Sequence, residues 1–177
     1  MFPRAMKGLA PSLIIVITLI FIMLLAHWLK SAFAIGKIVQ ISSYNVSSTL
    51  IEEVFVSEAF EAKIIYPKKA KPWKEIHVKV YVKAKGEYLL SAVALKALSR
   101  PVPGFIMWWW KAFYENVTKF TTPVKEFSAT YTFRPPELSK GLNVELHITP
   151  TKPKEPLFIF FARPITVSID IVGAGED

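Results

Sequence analysis

Residues 75–85 alternate without a break. Ile76, Val78, Val80, Val82 and Ala84 fall on one side, and Glu75, His77, Lys79, Tyr81, Lys83 and Lys85 on the other. A strand turns successive side chains to opposite faces, so this period of two predicts a half-buried strand, apolar inward and polar outward. The same alternation recurs at 60–66 (Phe60, Ala62, Ile64, Tyr66), 127–134 (Phe127, Ala129, Tyr131, Phe133), 144–148 and 165–171. Residues 157–162 are continuously apolar, which suits a strand covered on both faces, and 37–41 suits one more. Residues 89–98 read equally as strand or helix. Segments bearing Pro and Gly at 66–74, 134–141 and 149–156 separate the runs. Seven or eight short antiparallel strands with such turns predict a mostly β fold. Its architecture is an immunoglobulin-like antiparallel β-sandwich over residues 35–177.

One segment departs from this pattern. Ile106, Trp110, Phe113, Val117 and Phe120 are spaced 4, 3, 4 and 3, a helical stripe. It predicts one inserted helix over residues 105–120. Trp108, Trp109 and Trp110 spread over too wide an arc for one buried face. They are therefore candidates for a surface that meets a bilayer or a partner, since an indole joins an apolar body to a polar tip.

The first 34 residues are of another kind. No charged side chain lies between Lys7 and Lys30. As a helix, those 22 residues would reach roughly 33 Å, enough to cross the hydrocarbon core of a bilayer. Arg4 and Lys7 precede the run, which favours an inside N-terminus and a domain outside the cytoplasm. Three fates fit this segment: an uncleaved signal anchor, a secretory signal cut after Ala34, or processing after Gly8. The third follows from a resemblance. Lys7-Gly8, then Leu9-Ala10-Pro11-Ser12 and the aliphatic run, resembles the N-terminus of archaeal type IV pilins over about residues 7–30. The resemblance implies a cut after the glycine and a hydrophobic helix kept as the core of a filament.

Composition narrows the chemistry. There is no Cys, which excludes disulfides, thiol nucleophiles and Cys-ligated metal. The formal charge is +8, of which +3 falls in the first 30 residues. Asn, Asp and Gln are scarce while Lys and Glu dominate, a thermophile's balance. His77 and His147 stand on the polar sides of separate strands, so they make a metal site only if those strands are neighbours. Glu52 and Glu53 are adjacent and point opposite ways on a strand, which spoils them as an acid–base pair. No cofactor is expected, and no catalytic site is legible within this chain alone.

Two surface features remain. Lys68, Lys69, Lys71 and Lys74 form a basic loop, suited to an acidic partner or to solvent. Asn45 and Asn116 each begin an N-glycosylation acceptor tripeptide. The partners expected are the membrane and other envelope or membrane-complex proteins, or a second copy. Nucleic acid is not expected, because the charge bias puts the domain outside. The sequence thus reads as a single-span membrane protein, a structural or adaptor subunit. The alternatives are a pilin-like filament subunit and a non-catalytic small subunit of a membrane quinone-linked oxidoreductase.

Overall fold

The computed structural model describes residues 15–24, 38–101, 111–136, 139–152 and 164–172. The chain divides into two compact units, Met1–Ile35 and Gly36–Asp177. In the first, residues 15–24 form an α-helix whose aliphatic side chains are exposed. Among the described residues, no helix is long and apolar enough to cross a membrane. The uncharged run at 8–29 continues on both sides of this helix into residues outside the described set.

In the second unit the alternation is realised strand by strand. Among the described residues ten strands form: β1 (Val39–Asn45), β2 (Leu50–Val56), β3 (Phe60–Pro67), β4 (Lys69–Ala70), β5 (Ile76–Ala84), β6 (Leu89–Pro101), β7 (Lys111–Val124), β8 (Glu126–Phe133), β9 (Ser139–Thr151) and β10 (Ile165–Ile171). They make two five-stranded sheets, ordered β1-β2-β3-β5-β8 and β4-β10-β9-β6-β7. Neighbouring strands are antiparallel except β10 and the two-residue β4, which run parallel. β5 buries every second residue along its whole length. Its Val78 and Val80, with Ile64 of β3, carry no exposed surface, and neither do Val93 and Leu95 of β6 or Val144 of β9. Each such side chain contributes about 1.5–3 kcal/mol by leaving water, which makes these inner faces the source of the fold's stability.

The inserted helix over 105–120 is not formed. Residues 111–120 belong to β7, an edge strand antiparallel to β6, and 105–110 lie outside the described residues. Val117, Thr118, Thr121, Thr122 and Val124 are β-branched and favour the extended chain. The helical spacing arose from a bulge. Ala97 pairs with Tyr114 but Leu98 with Ala112, so Phe113 is the extra residue. A bulge turns two neighbouring side chains the same way and converts an even spacing into an odd one. Phe113 and Tyr114 accordingly both pack on Phe133 of β8, with ring centroids 5.9 and 5.0 Å away. Val117, which a helical stripe would bury, is 48% exposed. The ambiguous segment 89–98 is strand, within β6. The apolar run at 157–162 lies outside the described residues.

Candidate binding surface

The outer face of the first sheet brings together residues far apart in sequence. The register pairs Tyr44 of β1 with Glu52 of β2, and Lys63 of β3 with both Val54 and Tyr81 of β5. Opposite residues share a face, so Tyr44, Glu52, Lys63 and Tyr81 stand together on the outside. The Tyr44 hydroxyl donates to Glu52 Oε1, and Lys63 Nζ lies 2.8 Å from the same oxygen. Glu52 is only 5% exposed, although it lies near the surface: its cover is these neighbouring side chains rather than the body of the domain. Its neighbour Glu53 points the other way and accepts a 2.7 Å hydrogen bond from the Tyr66 hydroxyl. The adjacent carboxylates are therefore held apart by the strand, as their spacing requires.

A shallow groove of about 400 Å³ continues from this cluster; besides Val82 and Phe127, its polar lining is Glu61, Lys63, Tyr81, Lys83, Glu126 and Ser128. Lys83 Nζ and Glu126 Oε1 pair across it at 2.8 Å. Two cations, two carboxylates, a phenol and a hydroxyl can exchange hydrogen bonds with a polar chain. They supply no activated nucleophile and no acid poised beside a base. Its members come from three strands, and their shared signal in sequence is their place on the polar side of an alternating run.

These contacts set a pH window. Hydrogen bonds from Lys63 and then Tyr44 lower the pKa of Glu52, and Lys83 lowers that of Glu126. The same bonds raise the pKa values of Lys63, Tyr44 and Lys83, while burial raises those of Tyr66 and Tyr131. Below the ordinary carboxylate pKa of 4.5, the unfolded chain binds protons that the folded carboxylates refuse, so stability falls with acid. Above the ordinary tyrosine pKa of 10.0, the unfolded chain releases protons that the folded one keeps, so stability falls again. The melting temperature should therefore be level from about pH 5 to 9 and decline outside it. In Lys63→Met the acid decline should be shallower, because Glu52 loses the ammonium that depresses it. Thermal unfolding across buffers checks both; an unchanged acid limb would assign it elsewhere.

The other sequence candidates are dispersed. Lys69 lies in β4, opposite Asp170 of β10, and Lys68 donates its N–H to Thr49. Lys74 is exposed and Lys71 half-buried. Among them stands Trp73, 62% exposed at a positive φ of 62° and tied through its N–H to the Pro135 carbonyl. That backbone region costs a bulky residue free energy, so the loop displays its indole at the expense of strain. The sequence does not single out Trp73, because a lone Trp following Pro72 in a lysine-rich turn carries no periodicity. Asn45 and Asn116 are both exposed, at the end of β1 and on β7. Trp108, Trp109 and Trp110 lie outside the described residues. His77 and His147 lie in different sheets: His77 contacts Thr132 at 3.0 Å, and His147 contacts Glu145 at 3.3 Å. Among the described residues, no group of three His, Cys, Asp or Glu could hold a metal.

No family model and no curated protein matches the chain. Among solved structures it is similar to β-glucosidase from Listeria innocua in complex with isofagomine. The TM-score is 0.41 at 12% identity, covering 67% of this chain and 17% of that one. The gluconolactone complex of the same enzyme gives 0.40 and 11%, covering 66% and 16%. The chain thus spans about a sixth of those structures.

Proposed function

We propose that the protein is a single-span membrane subunit whose β unit lies outside the cytoplasm and binds other proteins as a structural or adaptor element. The observation that carries this reading is the uncharged run at 8–29, bounded by Lys7 and Lys30 and followed by an all-β unit. A run of that length and apolarity is costly in water and stable in a bilayer. The strand order supports an immunoglobulin-type sandwich. β3, β5 and β8 neighbour one another in one sheet, and β10, β9, β6 and β7 in the other, the arrangement of strands A-B-E against G-F-C-C′. Such sandwiches serve widely as extracellular interaction modules. The exposed Trp73 beside Lys74 supplies aromatic surface for a partner or the bilayer interface.

Expression of the full chain tests the reading. It should remain in the membrane fraction through high salt and carbonate, and its C-terminus should be open to protease from outside intact cells. Recovery of the full chain from the soluble fraction, with its first residue at Ile35, would remove the anchor. A filament subunit is the second reading, favoured by Lys7-Gly8 ahead of the aliphatic run. A mature N-terminus at Leu9 would select it over the anchor that begins at Met1.

A further inference from the structure

The described edges of the two sheets are protected unequally. β4 is two residues long, β7 carries Lys111, Glu115, Lys119 and Pro123, and β8 is flanked by the β7 rings that pack on Phe127 and Phe133. Short length, charge, proline and cover are the ordinary defences against pairing with another chain. β1, at the remaining edge, has the sequence Val-Gln-Ile-Ser-Ser-Tyr-Asn, with no charge and no proline. Val39, Ile41 and Tyr44 are 47%, 63% and 50% exposed.

We propose that β1 pairs with β1 of a second copy, antiparallel about a two-fold axis through Ser43. The strand is close to a chemical palindrome, and its bulge makes the palindrome fit the pleat. Gln40 pairs with Phe55 but Ser42 with Val54, so Ile41 is the extra residue. Ser42 and Tyr44 then share the outer face, opposite Val54 and Glu52, while Gln40, Ser43 and Asn45 share the inner one. A two-fold normal to the sheet preserves faces, so each residue must meet a partner from its own face. About Ser43 that condition holds throughout. Ser43 meets its copy and Ser42 meets Tyr44. Beyond the bulge, Gln40 meets Asn45. Amides face amides, hydroxyls face hydroxyls, and no charge opposes a like charge, in a chain whose total is +8. The β1-β2-β3-β5-β8 sheets of the two copies become one sheet of ten strands.

Full-length protein in detergent tests the pairing. Sedimentation should give twice the monomer mass, and Ser43→Lys should halve it by placing two ammonium groups on the axis. The melting temperature should hold, since Ser43 is exposed. Because the chain has no Cys, Ser43→Cys reports directly: mild oxidation should join two copies, whereas Ser168→Cys, exposed on the second sheet, should stay monomeric on a denaturing gel. Directly opposite antiparallel residues have Cα atoms about 4.5–5.5 Å apart, within reach of a disulfide. A wild-type monomer, a dimer that survives Ser43→Lys, or a glycan found on Asn45 would each overturn the proposal. A monomer that instead captures a foreign strand at β1 would assign the edge to another protein.

Discussion

Replacing Leu95 with Ala should lower the stability of the β unit by about 3 kcal/mol. Leu95 has no exposed surface and lies mid-strand in β6, between Asn116 of β7 and Leu146 of β9. Both neighbouring strands are fixed by long ladders, so the space left by the missing side chain closes poorly and the cost of a void adds to the lost burial. For a unit of this size the melting temperature should drop by roughly 6–12 °C. Leu98→Ala, on the half-exposed opposite face of β6, should cost less than a third as much. Calorimetry of the two variants decides the matter. Equal losses would mean that β6 does not present Leu95 to the core.

Phe133→Ala should cost about 3–5 kcal/mol and bring aggregation with it. Phe133 is 6% exposed at the end of β8 and receives both rings that the β7 bulge directs at it. Removing it leaves Phe113 and Tyr114 without their partner and uncovers one end of the β8 edge. Phe133→Leu keeps most of the volume and should cost under about 1.5 kcal/mol, with no aggregation. Chemical denaturation gives the stabilities and light scattering the second effect. If Phe133→Ala loses this stability but itself stays monodisperse, the rings add stability without guarding the edge.

The strands that could be read from sequence were those with one wet face and one dry one. β5 is the clearest, its inner positions all Val, Ile or Ala and its outer ones Lys, His and Tyr. β2 gave no such signal because both its faces are mixed. Glu53 lies on the inner side, satisfied by Tyr66, while Leu50, Val54 and Val56 lie on the outer. β7 misled because the extra Phe113 broke its parity. The Tyr44–Glu52–Lys63 cluster was invisible for a different reason. Its members are brought together by the register of two hairpins. One of these is fixed by the turn at 46–49, where Ser47 Oγ accepts the N–H groups of Thr49 and Leu50. Alternation assigns a residue to a face, but only the turn decides which residue on the next strand stands opposite.

The pairing of β6 with β9 has a consequence in time. Its partners lie 38 to 62 positions apart, from Pro101 with Ser139 to Leu89 with Thr151. A ribosome adding about 5–20 residues per second needs roughly 2–12 s to deliver the second strand after the first. Through that interval β6 can form its hairpin with β7, but its other edge, which β9 will pair, stays open. The nascent chain therefore carries its most adhesive strand half-paired while the residues that will cover it are still being made. Slower synthesis between residues 101 and 139 should lower the yield of folded protein unless a chaperone occupies that edge.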